Sequence, residues 1–545
     1  MKLVDAVLAA RGLTDRAERE AFLHPDYEAA RHDPFLLPDM DKAVQRLVQA
    51  QQNNERVVIY GDYDIDGLTA TSVLLDSFEK FGISTHAFIP NRFIEGYGLS
   101  SSAIERLAED GAQLIVTVDC GSLSHKEITR ANELGVDVIV TDHHSVAETM
   151  PDAVATINPK RPDHSYPFID LAGVGVAFKL VQALQTKLEG LPVGHEKWLL
   201  DLVALGTVCD VVELKDENRA NVFWGLEVMK KTRRPGIRAL MAVSGVTPQT
   251  LSARSLGFGL GPRLNAAGRL ETARLSLDLL TATDGQQALN LAQKLDIMNT
   301  ERRAEQDRIF KEAIIQAEER AGDPVLIVSD PGWSHGIIGI VAAKLLERYY
   351  KPTFVLQELE DGTAKGSARS FGEFSAVEAI RATEQHLIKG GGHKLAAGVT
   401  IETRNITVWR DAMGVHYHSL KLENQLRFME PVAEVSLDDF SLWNEREFAK
   451  LDALEPYGMG NPQPILSVGS LSVLSRRTMG SENQHVKYAL ADVNSEKRDF
   501  VAFNAADKFT AEPGDRVQVW AEPMINEWRG RRAAEGRLLK LELVS

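Results

Sequence analysis

Cysteine is nearly absent from this chain of 545 residues, which contains only Cys120 and Cys209. Two cysteines cannot form a disulfide framework for so long a chain, so the reducing cytoplasm is the predicted location. We interpret both as small packing residues rather than metal ligands. The chain also lacks an apolar run of the roughly 18 residues that a membrane span needs. Its N-terminus becomes charged too early for a signal peptide, so we expect a soluble protein with no membrane partner.

An excess of basic residues is missing as well. The chain has 61 Lys and Arg against 77 Asp and Glu, which gives a formal net charge of −16. Bulk charge therefore does not attract nucleic acid or an anionic membrane, although a local basic groove stays compatible with this total. The hydrophobic fraction of 44% is that of an ordinary globular protein. At about 150 residues per domain, the length predicts roughly three or four domains.

What the chain does contain, between residues 56 and 141, is an alternation of short apolar strands with helices. The predicted strands are Val57–Tyr60, Leu114–Val118 and Asp137–Thr141. Apolar strands that alternate with helices are typical of a parallel sheet covered on both faces. In such sheets, ligands bind beyond the carboxyl ends of the strands. We therefore expect residues 1–285 to form an N-terminal segment and a parallel-sheet domain with a ligand site at one edge of the sheet.

Three further segments follow, and together they predict an α/β fold with a β-barrel after it. Residues 286–321 contain no Pro and no Gly, and their polar middle indicates a connecting helix on the order of 50 Å long. A smaller α/β domain is expected over 322–424, ending in a Gly-rich turn. Short strands separated by turn residues over 425–545 predict a barrel, with the OB-fold as the candidate.

Three alternating carboxylates, Asp62, Asp64 and Asp66, come directly after the first strand and before Gly67. Such a turn is costly unless a cation neutralises it. An EF-hand loop also begins in this way, but it needs a bidentate Glu at its twelfth position, where this chain has Val73. A helix would also have to precede that loop. We therefore favour a metal site of another kind.

Three more polar elements stand near the ends of apolar runs. Asp119 follows the second strand, Asp142-His143-His144 follow the third, and Asp210 lies in a later apolar segment. Each element alone is weak evidence, but parallel strands end at one edge of the sheet, so they can converge. Carboxylate oxygens with imidazoles suit Mn²⁺ or Mg²⁺. Several carboxylates suggest two ions, which activate a water and clamp an in-line displacement at phosphorus.

This combination resembles the DHH phosphoesterase family, whose signature is Asp-His-His with an upstream D-x-D-x-D-G. Longer segments resemble its RecJ branch, the single-strand-specific exonucleases with DHHA1 and OB domains. These segments are 158–162, 171–178, 261–269, 366–370, 391–398 and 455–462. The resemblance extends from about residue 57 to the C-terminus.

The resemblance implies six metal ligands and two residues that act beside them. The ligands are Asp62, Asp64, Asp66, Asp119, His143 and Asp210. His144 matches the second motif histidine, which orients the scissile phosphate or the attacking water. Asp142 is expected to fix a histidine tautomer rather than to bind metal. Which ligand bridges the two Mn²⁺ or Mg²⁺ ions stays open.

Substrate contacts follow from the same resemblance. Arg92, whose planar guanidinium can hold a phosphate through two hydrogen bonds, is expected to form a pocket for a 5′ phosphate together with Ser367 and Arg369. Arg263 and Asn265 are expected near the scissile phosphate.

Four residues are expected to contact the strand in other ways. Tyr97 can stack on a base, and His393 lies in a Gly-rich segment whose backbone can approach a ligand closely. Trp528 and Arg529 place an aromatic ring beside cations, which suits a single strand. A solvated hairpin tip is the alternative for that last pair.

The family resemblance implies a metal-dependent 5′→3′ exonuclease that degrades single-stranded DNA to 5′ mononucleotides in recombination and repair. The expected partners are single-stranded DNA with a 5′ end, single-strand-binding protein and a helicase. Two alternatives remain. A small-substrate DHH hydrolase would lack the β-rich tail, and a non-catalytic replication factor would lack metal ligands that this chain retains.

Three positions carry no assigned role. Ser334 stands where many relatives have His, which puts a role for the neighbouring His335 in doubt. His164 replaces a common Cys, and we interpret it as a surface or packing residue. The basic run Lys230–Arg234 is interpreted as a solvated face.

Overall fold

The computed structural model describes residues 2–92, 95–96, 98–528 and 530–544. Its contacts divide the chain into two compact units. The first unit comprises Met1–Gly268, Thr272–Leu295 and Pro431–Ser545, and the second comprises Arg269–Glu271 and Asp296–Glu430. Within the described ranges, no helix combines the length and the apolar composition that crossing a membrane requires.

The first unit begins with three helices and a five-stranded parallel sheet. The helices are α1 (Leu3–Ala10), α2 (Arg16–Leu23) and α3 (Met40–Gln52). The elements of the sheet layer are β1 (Val57–Gly61), α4 (Ile65–Lys80), β2 (Thr85–Phe88), α5 (Ser101–Glu109), β3 (Leu114–Val118), α6 (His125–Glu133), β4 (Asp137–Thr141) and β5 (Ala155–Ile157). The strand order is β2-β1-β3-β4-β5, with every pair parallel. The predicted parallel sheet is confirmed, and it places the ends of β1, β3 and β4 side by side.

A helical layer follows the sheet. Its members are α7 (Gly173–Leu184), α8 (Leu200–Cys209), α9 (Asp216–Met229), α10 (Pro235–Ser244), α11 (Ala253–Ser255), a π-helical turn (Leu256–Leu260), α12 (Gly261–Leu270) and α13 (Arg274–Leu280). Helix α7 is buried on all sides, and α4 and α8 are buried over most of their lengths. Helices α7 and α8 are largely apolar, as is typical of helices that lie in a core, whereas α4 also buries polar residues such as Asp66 and Thr69.

The second unit is an α/β layer that begins within one long helix, α14 (Gly285–Glu319), whose residues up to Leu295 belong to the first unit. Its other elements are β6 (Leu326–Asp330), α15 (His335–Tyr349), β7 (Thr353–Glu358), β8 (Thr363–Arg369), α16 (Ala376–Ala382), β9 (Lys389–Gly392), β10 (Ala396–Glu402) and α17 (Ile406–Ser419). The strand order is β6-β7-β8-β10-β9, in which only β6 and β7 are parallel. The expected Gly-rich turn is wrong, because residues 389–392 form the edge strand β9.

The last part of the chain is a closed barrel in the first unit. Its elements are β11 (Val435–Leu437), α18 (Glu445–Leu451), β12 (Leu466–Met479), β13 (His485–Ala491), β14 (Lys497–Ala502), β15 (Arg516–Trp528) and β16 (Arg531–Leu543). Pairing of β12 with β15 closes the order β12-β13-β14-β16-β15. Trp443, Tyr488 and Phe500 fill its interior. The predicted barrel is confirmed.

Helix α1 contributes to the core of this barrel although hundreds of residues separate them. Leu3, Val7 and Leu8 are buried in the same apolar cluster as the barrel strands. The Leu3 amide donates to Glu447 at 3.0 Å, and Arg11 donates to Glu434 at 2.7 Å. The two ends of the chain therefore share one hydrophobic core.

Candidate metal centre

The D-x-D-x-D-G turn between β1 and α4 is tight, and it points three carboxylates to one edge of the sheet. Asp64 caps α4 by accepting from the Gly67 amide at 3.0 Å. A Cβ on Gly67 would lie 2.6 Å from the Asp62 carbonyl oxygen, so only glycine fits. Asp66 is buried and accepts from the amides of Gly173 and Val174 at 2.6 and 2.9 Å, at the N-terminus of α7.

Asp119 occupies the corresponding position after β3. Its φ of +62° is a left-handed conformation that non-glycine residues seldom adopt, and its amide donates to the Thr141 carbonyl at 3.0 Å. A Cβ on Gly173 would approach both Asp119 Oδ1 (2.8 Å) and Asp66 Oδ2 (2.9 Å). Glycine at the start of α7 therefore lets this helix press directly against two carboxylates.

His143 lies at the middle of the carboxylates. Its Nε2 is 3.1 Å from Asp119 Oδ1, 3.6 Å from Asp210 Oδ2 and 3.8 Å from Asp66 Oδ2. Among the residues that the structure describes, the possible ligand atoms form three sets, and the atoms within each set all lie within 4.8 Å of one another. The sets are Asp62/Asp64/Asp119, Asp66/His143/Asp210 and Asp119/His143/His144. Side chains from four separate segments of sequence thus meet in one place.

The chemistry of this cluster fits divalent cations. Among the described residues, Asp62 Oδ1 and His143 Nε2 are buried without a hydrogen-bond partner. Burial, and then the charge of Asp64, raise the pKa of Asp62 well above its usual range. Buried polar atoms that lack partners are rare, and a cation would satisfy both groups. Hard carboxylate oxygens with one imidazole are ligands that suit Mn²⁺ and Mg²⁺.

The pKa shifts of Asp66, Asp210 and His143 have the same origin, which is the burial of several charged groups close together. Burial, followed by the charge of Asp64, raises the pKa of Asp66 to about 7. Burial and the charges of Asp66 and Asp64 raise the pKa of Asp210 to about 9. Burial, followed by the charge of His144, lowers the pKa of His143 to about 3, so its imidazole is neutral at physiological pH. Neutral imidazole is the form that binds metal.

Asp142 organises the two histidines rather than joining the ligand sets. Its Oδ1 accepts from the amides of His143 and His144 at 2.7 and 3.1 Å and lies 2.8 Å from His144 Nδ1. Burial alone would lower the pKa of His144, but the bond and charge of Asp142 more than reverse this and raise it. Burial alone would raise the pKa of Asp142, yet the same bond holds it well below the usual range.

Two residues that the sequence analysis missed complete this support. The Ser122 amide donates to Asp142 Oδ2 at 2.9 Å. Asn158 is fully buried, and its Nδ2 donates to Ser122 Oγ at 2.8 Å and to the His144 carbonyl at 2.9 Å. The segment 158–162 carried the family resemblance, but no local pattern assigned Asn158 a contact with His144.

Tyr63 was also missed, although it stands between two predicted ligands. The guanidinium carbon of Arg92 lies 4.4 Å from the centroid of the Tyr63 ring, a cation–π contact. The positive charge of Arg92 also acts on Asp62. The structure therefore brings Arg92, one of the predicted phosphate contacts, to the margin of the carboxylate cluster.

The other predicted substrate contacts lie on two units. In the first unit, α12 carries Asn265 and Arg263, whose Nη1 donates to the Gly259 carbonyl at 2.7 Å. In the second, Ser367 and Arg369 lie together on β8, since a Cβ on Gly339 would meet Arg369 Nη2 at 3.2 Å and Ser367 Oγ at 3.4 Å. Burial lowers the pKa of Arg369.

Four further predicted contacts and the positions without a role complete the comparison. His393 follows β9 and is exposed. Tyr97 and Arg529, together with the side chain of Trp528, lie outside the described residues. His164 is half-buried, with Nε2 2.8 Å from the Pro159 carbonyl, and His335 begins α15 and donates its amide to Gln357.

One expectation about the basic run is wrong. Arg234 is not part of a solvated face, because it forms ion pairs with Asp76 and with the buried Asp201.

Three family models match the sequence. They are the DHH family, N-terminal domain, at residues 56–207, the DHHA1 domain at 322–413 and the RecJ OB domain at 433–539.

Curated relatives and solved structures match over nearly the whole chain. The single-stranded-DNA-specific exonuclease RecJ of Bacillus subtilis is 38% identical over 97% of this chain and 66% of its own length. RecJ of Escherichia coli is 36% identical over 92% and 89%. The crystal structure of Thermus thermophilus RecJ with Mn²⁺ has a TM-score of 0.82 at 30% identity and covers 98% of this chain and 75% of that one. The Mg²⁺ complex gives 0.78 at 28% identity, with coverages of 98% and 74%.

Proposed function

This chain belongs to the RecJ family, and on that premise we propose that it is a metal-dependent exonuclease that degrades single-stranded DNA from the 5′ end to 5′ mononucleotides. The observation that carries the proposal is the carboxylate–histidine cluster. Its ligand atoms form three sets, and the atoms of each set lie within 4.8 Å of one another. Relatives of 36–38% identity carry the name of single-stranded-DNA-specific exonuclease.

The proposed ligands of two ions are the first two of these sets, Asp62/Asp64/Asp119 and Asp66/His143/Asp210. Mn²⁺ or Mg²⁺, when bound, supplies Lewis acidity that lowers the pKa of water and neutralises charge on the phosphate. The chain contributes a rigid frame: Gly67 and Gly173 let main chain and carboxylates pack closely, and the α7 N-terminus fixes Asp66.

His144 is the proposed protein group beside the scissile phosphate. Asp142 lies 2.8 Å from its Nδ1 and holds one ring orientation. Since its pKa is raised, the ring carries a proton at higher pH than an ordinary histidine. We propose that its Nε2 donates a hydrogen bond to a non-bridging oxygen of that phosphate. Geometry of this kind stabilises charge that develops during phosphoryl transfer.

Substrate contacts are assigned by their chemistry. Arg92, Ser367 and Arg369 are the proposed 5′-phosphate pocket, and Arg263 and Asn265 are the proposed contacts to the scissile phosphate. The further proposed contacts to the strand are Tyr97, His393, Trp528 and Arg529.

The domain assignment is part of the same proposal. Residues 1–285 would carry the chemistry, 286–321 would connect, 322–424 would contribute further contacts to the strand and 425–545 would hold the strand downstream. Single-strand-binding protein and a helicase are the proposed partners, in recombination and repair within the cytoplasm.

A direct test is an assay with Mn²⁺ or Mg²⁺ on 5′- and 3′-labelled single strands, duplex DNA, RNA and cyclic dinucleotides. We expect immediate release of the 5′ label as a mononucleotide from single-stranded DNA and no such release from duplex DNA; the RNA strand tests whether ribonucleotides are also accepted. Immediate release from 3′-labelled strands, or cleavage of cyclic dinucleotides only, would contradict the proposal. Asp119→Ala should abolish cleavage, because it removes a ligand shared by two of the three sets.

The 5′-phosphate pocket has its own test. Arg369→Ala should weaken binding of 5′-phosphorylated strands by about tenfold or more, as loss of a charge-assisted bidentate contact does, and leave 5′-hydroxyl strands unaffected. Arg404→Ala, which removes an exposed cation of the same unit, is the matched control. Equal weakening of both strand types would refute the pocket.

A further inference from the structure

An aromatic side chain without an assigned role lies in a turn that contacts Cys209, the residue before the proposed ligand Asp210. Phe258 lies in the π-helical turn Leu256–Leu260, and 73% of its surface is exposed. A phenylalanine ring that stays exposed does not gain the free energy of burial that a phenylalanine in the core contributes. π-helical turns are rare and occur frequently at functional sites. Both features indicate a turn retained for contact with something outside the chain.

The turn is anchored to the end of α8, next to a proposed metal ligand. Cys209 Sγ lies 3.8 Å from the Leu256 carbonyl oxygen, and Asp210 is the next residue along the chain. A Cβ on Gly261 would lie 2.7 Å from the same sulfur, so glycine lets α12 begin directly against α8. The charges of Asp64, Asp66 and Asp210 all act on the Cys209 thiol. The turn that carries Phe258 therefore adjoins the cluster through Cys209.

One arginine lies over the ring, and a second is bonded to the main chain of the same turn. The Arg254 guanidinium carbon lies 5.5 Å from the centroid of Phe258, and its side chain is exposed. Arg263 Nη1 donates to the carbonyl of Gly259, the neighbour of Phe258, at 2.7 Å. Arg263 is a proposed contact to the scissile phosphate. An exposed ring with a cation beside it is an arrangement that holds single strands, because a base stacks on the ring and a phosphate pairs with the cation.

We propose that Phe258 is a stacking platform for one base of the bound single strand, with Arg254 as the cation that holds the phosphate beside that base. The assignment rests on the proposed function and adds a specific base contact to it. Every base has an aromatic face, so the platform selects unpaired bases without selecting sequence. A base inside a duplex has both faces covered, and it can reach the ring only after unstacking.

Single strands that carry one abasic nucleotide, moved stepwise from the 5′ end, provide the test. Binding is measured on full-length protein carrying Asp119→Ala, and first-turnover cleavage is measured on the otherwise unchanged protein. At one abasic position we expect binding to weaken by about fivefold or more, the range for loss of one stacked base. Phe258→Ala should weaken binding of the intact strand by the same factor. It should also remove the minimum in affinity that the abasic nucleotide produces at one position along the strand. Phe258→Trp should restore both.

The matched control is Phe35→Ala, since Phe35 is a partly exposed aromatic at 38% exposure within the N-terminal segment. That variant should keep the minimum at the same position. A minimum that persists in Phe258→Ala, or no minimum in the unsubstituted binding site, would overturn the platform. Absence of cleavage with the binding pattern intact would instead refute the exonuclease proposal and leave the platform standing, so the two failures are distinguishable.

Discussion

At the residue scale, the support of His144 depends on Asn158. This side chain is fully buried and donates to both the His144 carbonyl and Ser122 Oγ. We predict that Asn158→Ala lowers kcat by about 10- to 100-fold, as loss of an outer support of a metal site does, with little change in KM. Steady-state kinetics with Mn²⁺ measure this split.

Two controls separate positioning from unfolding. Thermal unfolding should show a modest loss, since about 1–3 kcal/mol is expected for leaving buried polar atoms unpaired. Mn²⁺ stoichiometry should stay unchanged, because Asn158 belongs to none of the ligand sets. A kcat equal to that of the unsubstituted enzyme would show that Asn158 has no positioning role.

The raised carboxyl pKa values predict that metal binding depends on pH. In the metal-free protein the pKa of Asp66 is about 7 and that of Asp210 about 9, so at neutral pH Asp66 is partly protonated and Asp210 is almost fully protonated. A cation must displace those protons, and its apparent affinity therefore rises as pH increases from below 7 toward 9. Calorimetry in buffers of different ionisation enthalpy should detect protons released when the metal binds. The number of protons released should be smaller for Asp210→Asn. Affinity that is flat over this range would contradict the assignment.

How far single residues can be predicted from sequence follows from their contacts. Asp62, Asp119 and His143 follow strands, and parallel strands end at one edge, so their convergence could be predicted. Asn158 and Ser122 could not, because their partners lie on other segments, and no spacing in the sequence records those distances. The catalytic roles of all these residues stay predictions.

At the element scale, α4 depends on one glycine at its N-terminus. We predict that Gly67→Ala destroys the turn, since its Cβ would lie within 2.8 Å of three main-chain atoms of Asp62. Gly414 is the matched control, a glycine within α17 with nothing within 4 Å. Gly414→Ala should stabilise by about 0.5–1 kcal/mol. Thermal unfolding and Mn²⁺ titration of both variants test this, and normal Mn²⁺ binding by Gly67→Ala would count against it.

The edge strand β9 shows why a composition rule failed for one element. A run of glycines is typical of a turn, yet Gly390, Gly391 and Gly392 pair with β10 in antiparallel register. A Cβ on Gly392 would lie 2.5 Å from the Ala397 Cα, so the close approach of the two strands requires glycine here. Pairing with a distant strand decided the conformation, and local propensity did not.

At the scale of the whole molecule, Arg219 joins three parts of the first unit. Its guanidinium donates to the carbonyls of Phe22 and Glu455, both at 2.9 Å, and of Leu454 at 3.2 Å. It also lies 3.8 Å from the centroid of the Phe22 ring. Burial, and then the charge of Arg11, lower the pKa of Arg219 to about 10. The residue therefore bears a desolvation cost that its carbonyl contacts offset.

Replacing this arginine tests whether the barrel is held to the catalytic part through it. We predict that Arg219→Met, which keeps the length of the side chain, costs about 2 kcal/mol or more, because the part-buried carbonyls of Phe22 and Glu455 lose a donor at about 1–3 kcal/mol each. The barrel segment should then become cleavable by trypsin near residues 425–460 at concentrations that leave the unsubstituted protein intact. Arg404→Ala, an exposed arginine outside this contact, should behave as the unsubstituted protein does. The contact joins residues 22, 219 and 454–456, so its loss should displace the barrel. The variant should then lose activity on long strands and keep activity on dinucleotides. Unchanged proteolysis and unchanged unfolding in Arg219→Met would show that the barrel is fixed by its apolar contacts alone.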